Sequence, residues 1–310
     1  MSSITLLHSH QLDFEKWDRA IMKSSMPLVY GLSTFYKHLC PRWAGLVLGD
    51  YEAVMPLPFH YKGGFIPYAY QPPFIQQSGL FAPKGAEPDL LTHFLKAIPK
   101  SWVRTHLHLN YANTPPGIAM RYMTPRVSYE INLNRPFNEI EQQFNKDAVK
   151  NLKRFRNTWS HQIEIRHNAA VSTEEVVALY RRVYGKQNPF IQPRHYEQFL
   201  LLVQDLELKG KVEKIGIYNN NKPWALALFW KAMGRIYYAM GAPSPEGRKH
   251  AVTHFVIAEM LRRHAQTPCY FDFEGSSIPN VAQFYKKFGS IPRYFYTWTS
   301  AIPAPWALMR

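Results

Sequence analysis

The sequence predicts an α+β protein built from two similar domains. Of its 310 residues, 46% are hydrophobic and 19% are charged, which provides enough apolar material for a folded core and too little charge for a disordered chain. At about 150 residues per domain, this length suits two domains. Two stretches of the chain also repeat one order of elements: three strands, a helix and a fourth strand.

The first copy of this pattern lies in the N-terminal half. Three apolar runs at 43–50, 52–60 and 64–68 are separated by Gly and Asp, residues that supply the positive φ of hairpin turns. A helical pattern at 88–98 and an apolar run at 103–109 follow. We therefore predict a three-stranded meander, a helix and a further strand.

The second copy begins about 170 residues later. Its three strands are predicted at 214–218, 224–230 and 234–241, and its helix at 252–263 has apolar residues spaced by three and four. The run 269–273 is the fourth strand. Residue identity between the copies is slight, so the repeat is one of structure.

A basic amphipathic helix precedes the second copy. Six apolar residues at steps of 4, 4, 4, 3 and 4 predict one continuous helix, namely Ile140, Phe144, Ala148, Leu152, Phe155 and Trp159. Four basic residues off this stripe are candidates for polyanion binding, namely Lys146, Lys150, Lys153 and Arg154. The alternative interpretation is an ordinary solvated helix face. We place the domain boundary before this helix, giving domains of 1–134 and 135–310.

Charge and composition exclude several classes of protein. The net charge of +15 favours a partner that carries phosphate. The longest apolar run, 224–230, is far shorter than the roughly 20 residues of a spanning helix, so we expect no membrane span. Acidic residues such as Asp13 and Glu15 argue against a signal peptide, which predicts a cytoplasmic protein. Two cysteines, Cys40 and Cys269, cannot form a zinc quartet, and we expect neither a metal nor a tightly bound cofactor.

The most specific motif lies between residues 272 and 289. It combines two acids at a strand end with Asn280, Ala282, Tyr285 and Gly289 on or after a short helix. This arrangement resembles the last motif of the GNAT acyltransferase superfamily, Asn-x-x-Ala-x-x-x-Tyr-x-x-x-Gly-Phe. The spacings are shorter here, and Ser290 replaces the Phe.

The tandem copies and the basic helix extend the resemblance to the FemABX group. A Pro-Phe segment at 72–79 is also similar to one common in that group. The resemblance implies two fused GNAT-like domains, each a mixed, mostly antiparallel sheet flanked by helices. It further implies transfer of an acyl or aminoacyl group to an amine acceptor from a phosphate-bearing donor, acyl-CoA or aminoacyl-tRNA.

The donor is expected at the third strand of the second copy, since GNAT-like sites present backbone N–H groups of a splayed strand to the donor. The candidate donor-binding residues lie at this strand's end, in the next loop and on the last helix: Met240, Gly241, Ala242, Ser244, Arg248, Lys249, Asn280 and Lys286. Basic residues and amides at a helix start suit a phosphate. The segment 248–251 lacks the first Gly of the acyl-CoA signature, which weakens acyl-CoA as the donor and leaves aminoacyl-tRNA or another activated acyl donor open.

Three residues are candidates for catalysis. Asp272 and Glu274 alternate on one strand and should point the same way, so that one serves as a general base or binds the amine. The alternative is a solvated strand end. Tyr285 matches the family tyrosine that protonates the leaving thiolate, with a core aromatic as the alternative.

We therefore predict an acyltransferase whose active site lies mainly in the C-terminal domain. One alternative is a non-catalytic protein that holds nucleic acid or another polyanion with a degenerate GNAT pair. A third hypothesis is acyl-CoA-dependent acetylation of a small amine.

Overall fold

The computed structural model describes residues 3–84, 86, 89–114, 122–275 and 278–301. The chain divides into two compact units. The first unit comprises residues 1–126 together with residues from 294 onwards, and the second unit comprises residues 127–293.

The first unit contains a six-stranded sheet with helices. Its elements are β1 (Ile4–His8), α1 (Phe14–Lys23), α2 (Ser33–Leu39), β2 (Trp43–Leu48), β3 (Ala53–Lys62), β4 (Ile66–Ala69), α3 (Leu90–Ala97), β5 (Arg104–His108) and most of the last strand of the chain, Ile291–Ala301. The strand order is β1-β2-β3-β4-β5 followed by that last strand. Among the described strands of this unit, β4 and β5 pair in parallel and the other neighbours pair antiparallel.

The second unit contains the same sheet again. Its elements are β6 (Met123–Asn132, from Val127 on), α4 (Phe137–Gln142), α5 (Lys146–Trp159), β7 (Ile163–His167), α6 (Thr173–Tyr184), α7 (Pro193–Leu208), β8 (Val212–Asn219), β9 (Lys222–Ala232), β10 (Arg235–Pro243), α8 (Pro245–Lys249), α9 (Val252–His264), β11 (Tyr270–Gly275) and α10 (Pro279–Lys286). The strand order is β7-β8-β9-β10-β11-β6, with β10 and β11 parallel. The predicted α+β tandem of mixed, mostly antiparallel sheets is confirmed.

The domain limits differ from those predicted from the sequence because the sixth strand of each sheet sets them. β6 pairs with β11 of the second unit, so this unit begins at Val127 rather than at residue 135. The last strand of the chain, hereafter β12 (Ile291–Ala301), pairs with β5 of the first unit. An apolar run in the sequence predicts a strand but not its partner, because pairing is a contact between distant segments.

The predicted basic helix is two helices. α4 ends at Gln142, and α5 begins after Asn145, whose side chain accepts a hydrogen bond from the Ala148 N–H at 2.9 Å. An Asn side chain that caps a helix in this way favours a new helix start over continuation. The apolar stripe is buried as predicted, since Ile140 on α4 and Phe155 on α5 are both buried.

The core of the second unit packs helices on one face of the sheet around the end of β11. α9 contacts β8, β9 and β10 and also packs on α4 and α5, and its buried residues join one apolar cluster with Phe271, Phe273 and Phe288. α6 lies against β9 and β10. The helices that carry the predicted site are therefore fixed to the sheet by apolar packing.

A tight turn at Gly289 joins the end of α10 to the junction of α4 and α5. Gly289 has φ +69°, and a Cβ on it would lie 2.4 Å from the Cβ of Gln143 and 2.8 Å from its carbonyl oxygen. Nearby, the Asn145 N–H donates to the Lys287 carbonyl at 2.8 Å. The motif glycine is thus required both by its backbone conformation and by this close approach.

Replacing Gly289 by Ala should therefore destabilise the second unit by more than backbone strain alone. A matched control is Gly210→Ala in the same unit, where φ is +64° and no heavy atom lies within 4 Å of the added Cβ. We expect about 1–2 kcal/mol for Gly210→Ala and about 1–3 kcal/mol more for Gly289→Ala, because of the clash. Chemical denaturation measures both values, and equal losses would contradict the packing described for Gly289.

Candidate functional site

Strands β10 and β11 part at one end of the second unit. Their parallel pairing runs from Arg235 opposite Tyr270 to Tyr237 opposite Asp272, yet β10 continues to Pro243 and β11 to Gly275. Both strands are also irregular there, since the register shifts between 237 and 240 on β10 and between 272 and 275 on β11. A gap therefore opens between 238–243 and 273–275, which we call the open end of β10 and β11.

Asp272 anchors the last paired level before the open end. It is 2% exposed, and its Oδ1 accepts hydrogen bonds from the Ser128 hydroxyl at 2.8 Å and from the Glu274 N–H at 2.9 Å. Its Oδ2 accepts from Arg235 at 3.2 Å. A carboxylate held by this many donors suits the role of a positioning residue better than that of a proton acceptor.

Arg235 carries the positive charge of this buried network. It donates to Glu130 at 2.9 Å as well as to Asp272, and Arg293 lies 3.3 Å from the other Glu130 oxygen. Burial alone would lower the pKa of Arg235, but Asp272, Tyr237 and Glu130 raise it above its ordinary value. The guanidinium therefore stays charged and ties β6, β10 and β11 together.

Glu274 lies at the open end in an unusual backbone conformation. It is 6% exposed and has φ +69°, in the left-handed region that costs a non-glycine residue about 1–3 kcal/mol. The prediction that Glu274 and Asp272 point the same way assumed regular alternation, which the register shift between 272 and 275 interrupts. The bond from the Glu274 N–H to Asp272 instead fixes Glu274 in its own orientation.

Four tyrosines gather around the open end, and we call Tyr180, Tyr184, Tyr238 and Tyr285 the tyrosine cluster. The Tyr180 and Tyr184 rings are 5.3 Å apart, the Tyr285 ring packs 4.6 Å from Phe273, and the Tyr238 ring stacks 5.2 Å from Phe229. Of these four, Tyr285 alone was predicted from the sequence as a candidate for catalysis. A signal for two others was present, because Tyr180 and Tyr184 are spaced i, i+4 and share one face of α6.

The phenols of Tyr180, Tyr238 and Tyr285 stay protonated at neutral pH because the pKa of each is raised. Burial raises the pKa of Tyr285 above its ordinary value, and the charges of Glu274 and the neighbouring tyrosines add to the rise. Burial likewise raises the pKa of Tyr238, with a further contribution from Tyr285. It also raises the pKa of Tyr180 to about 12. Each of these hydroxyls can therefore act as a proton or hydrogen-bond donor.

The predicted donor-binding strand contributes backbone rather than side chains. Met240 and Ala242 are each 2% exposed, and they pair with Leu228 and Leu226 of β9. A Cβ on Gly241 would lie 2.4 Å from the Tyr238 hydroxyl, so a larger residue there would displace the Tyr238 ring. The Tyr238 hydroxyl thus lies directly against the backbone of the opened strand.

The loop after β10 forms the short helix α8. Ser244 caps it by accepting a hydrogen bond from the Gly247 N–H at 3.2 Å. Lys249 is exposed and bonds to Glu246 at 2.9 Å, whereas the Arg248 guanidinium lies 5.8 Å from the ring centroid of Tyr184. Of the two predicted basic residues, the structure brings Arg248 next to the tyrosine cluster.

The remaining predicted residues lie on the exposed faces of α5 and α10. Asn280 is exposed in the first turn of α10, and the Lys286 ammonium lies 5.7 Å from the Tyr129 ring. The four predicted polyanion-binding residues of α5 are exposed, namely Lys146, Lys150, Lys153 and Arg154. Lys287 bonds to Asp147 and so links α10 to α5. Ser276 and Ser277, within the motif between residues 272 and 289, lie outside the described residues.

The corresponding place in the first unit is filled by the chain itself. β4 and β5 pair in parallel at a single position, Ala69 opposite Thr105. Beyond it, the His108 carbonyl accepts from the Ser78 N–H at 2.8 Å, and the His108 N–H donates to the Gln71 side chain at 2.8 Å. The segment after β4 therefore covers the edge of β5 that an open end would expose.

Two kinds of feature are absent from the described part of the chain. None of its helices is both long and apolar enough to cross a lipid bilayer. Among the same residues, His, Cys, Asp and Glu side chains form no group of three or more that could hold a metal ion.

Replacing Asp272 by Asn should destabilise the second unit, because an amide NH2 would face Arg235 inside a buried network. We expect a loss of roughly 3 kcal/mol in the free energy of unfolding, measured by denaturant titration. The control is Glu246→Gln, which removes an exposed carboxylate from its ion pair with Lys249 and should leave stability nearly unchanged. If Asp272→Asn is as stable as the control, Asp272 is not the anchor described above.

The second unit is similar to a known family of domains. Residues 146–287 match the family model described as an acetyltransferase (GNAT) domain, which lies within the second unit. No curated protein sequence matches the chain.

Several solved structures share the fold at low sequence identity. FemX superposes with a TM-score of 0.63 at 13% identity over 94% of this chain and 96% of that one. A tandem GNAT protein from the clavulanic acid biosynthesis pathway gives 0.55 at 11% identity over 97% and 100%. The C-terminal domain of a putative lysylphosphatidylglycerol synthetase from Agrobacterium fabrum gives 0.54 at 10% identity over 93% and 91%. Residues 146–287 therefore match a GNAT domain, and the fold of the chain is similar to those of FemX and of a tandem GNAT protein.

Proposed function

We propose that the protein transfers an acyl or aminoacyl group to an amine, and that the reaction takes place at the open end of β10 and β11. The observation that carries this proposal is the gap itself, where an opened strand edge, Glu274 and Tyr285 come together in the second unit. The equivalent edge of the first unit is covered by its own chain, which supports a single active unit.

The opened strand supplies a place for the donor carbonyl. Past Tyr237, one edge of β10 is released from β11 while the other stays paired with β9 through Gly241 and Ala242. Backbone N–H groups on a released but rigid edge are suited to the oxyanion that forms when an amine attacks a carbonyl. The Tyr238 hydroxyl, which lies against Gly241, is a further donor at this position.

Glu274 and Tyr285 complete the proton transfers of the proposed reaction. As the amine nitrogen bonds to the donor carbonyl carbon, Glu274 takes the proton that the nitrogen loses. As the carbonyl carbon separates from the leaving sulfur or oxygen, the protonated Tyr285 phenol gives its proton to that atom. Asp272 is a positioning residue in this reaction, because its carboxylate accepts the hydrogen bond from the Glu274 N–H and so holds the Glu274 backbone.

The basic surfaces near the open end support a donor that carries phosphate. Arg248 lies beside Tyr184, Lys286 lies on α10, and α10 is linked to the basic helix α5 by the bond from Lys287 to Asp147. Acyl-CoA and aminoacyl-tRNA both meet this requirement, and acetylation of a small amine falls within the same proposal. We place the reaction in the cytoplasm, in accord with the two free cysteines Cys40 and Cys269.

Glu274→Gln and Tyr285→Phe should each lower kcat by about 100-fold or more with little change in folding, because each removes one proton transfer. Transfer to an amine is measured with CoA thioesters and with aminoacyl-tRNA as donors, and folding by circular dichroism. The controls are Glu197→Gln, at an exposed carboxylate of α7, and Tyr270→Phe, at the other end of β11. Full activity in both site variants would show that these residues do not carry the reaction.

The exposed face of α5 supports a second candidate function, a non-catalytic protein that binds a polyanion.

Charge-matched variants test whether α5 contacts the polyanion. Replacing Lys150, Lys153 and Arg154 by Gln should reduce the slope of log affinity for tRNA against log salt by roughly 2. The same changes at Lys209, Lys211 and Lys231 should leave the slope unchanged, because these residues lie near the end of β9 and β10 that is opposite to the open end. Salt-dependent binding without consumption of any donor would favour this second function. Identical slopes for both triple variants would show that α5 is not the surface that binds the polyanion.

A further inference from the structure

We propose that the tyrosine cluster and Glu274 form a pocket for a positively charged amine, so that one substrate enters the open end as an ammonium group. This inference rests on the proposed function and names the chemistry of the group that the site holds. The ammonium could belong to the α-amino group of an aminoacyl donor or to the acceptor before it loses its proton.

Aromatic faces provide the first argument. Tyrosine rings attract cations that lie over them at about 6 Å or less. One such contact is already present in the site, because the Arg248 guanidinium lies 5.8 Å from the Tyr184 ring centroid. The Tyr180 ring stands 5.3 Å from that of Tyr184, so two rings of α6 are available together on one side of the pocket.

The buried carboxylate provides the second argument. Glu274 is 6% exposed and keeps a backbone conformation that costs energy, in contact with Asp272. Such strain persists where the surrounding structure enforces it, which is common at functional sites. A carboxylate removed from water is stabilised by a cation, and an ammonium group supplies both the charge and N–H donors.

The distribution of charge provides the third argument. At the open end Asp272 is already paired with Arg235, so the carboxylate of Glu274 is the charge that disfavours a phosphate or a substrate carboxylate there. The exposed basic residues lie around it on α8, α10 and α5, and of these Arg248 reaches the Tyr184 ring. A substrate with a phosphate at one end and an amine at the other would match both regions at once, with the amine inside.

Binding of small probes tests the inference directly. L-Alanine amide represents the aminoacyl end of a donor, and n-butylamine represents an acceptor. Each has a neutral counterpart of similar shape, N-acetyl-L-alanine amide and n-butanol. Titration calorimetry on the full chain should show at least tenfold tighter binding of one cation than of its neutral counterpart, and the cation that binds identifies the source of the amine.

Variants separate a ring contact from a hydroxyl contact. Tyr184→Phe should keep the affinity for the cation, whereas Tyr184→Leu should weaken it about fivefold. Glu274→Gln should weaken it further, and Tyr294→Leu, at an exposed tyrosine of the first unit, should have no effect. Circular dichroism of each variant shows that a loss of binding is not a loss of folding.

The inference is overturned if both neutral compounds bind as well as the cations, or if neither Tyr184→Leu nor Glu274→Gln changes the affinity for a cation. These outcomes are separable from the proposed function. Acyl transfer without preference for a cation would leave the function standing and remove the ammonium pocket. Binding of a cation without any transfer would leave the pocket standing and remove the enzymatic function.

Discussion

The candidate site depends on the buried ion pair between Arg235 and Asp272. It joins Arg235, at the first paired level of β10 and β11, to Asp272, at the last, and it recruits Glu130 and Ser128 from β6. Because this level is fixed, the strands can part beyond it without loosening the sheet, since β10 stays paired with β9. The same Asp272 holds the N–H of Glu274, so the structural anchor also sets the orientation of the proposed base.

The two units show how one sheet design can serve two purposes. Each has three antiparallel pairings, one parallel pairing and a sixth antiparallel strand, so each could open where its parallel strands part. In the first unit the segment around Gln71 and Ser78 bonds to β5 at His108 and covers this edge. In the second unit side chains from α6 and α10 surround the gap instead, and a cluster of phenols with a carboxylate results.

Local patterns in the sequence predicted the strands and helices of the repeated pattern but not β1, β6 or β12, and the contacts between elements came from the structure. Turn residues between apolar runs located both meanders, and the motif around Asp272 and Tyr285 located the candidate site. The partners of β6 and β12 could not be predicted, because pairing is decided by distant segments. The roles of Asp272 and Tyr238 were hidden for the same reason, since they depend on Arg235 across the sheet and on a close approach to Gly241. The break between α4 and α5 was readable in Asn145, a good helix cap, although the continuous apolar stripe obscured it.

The position of a bound donor tests the central claim most directly. A crystal structure with an unreactive donor analogue, either a CoA thioether or an adenosine carrying an amide-linked amino acid, would show it. We expect the acyl group between β10 and β11, with its carbonyl oxygen within hydrogen-bond distance of the released edge of β10 and with Glu274 and Tyr285 beside it. An acyl group bound at β4 and β5 of the first unit, or on the outer surface of α5, would contradict the account.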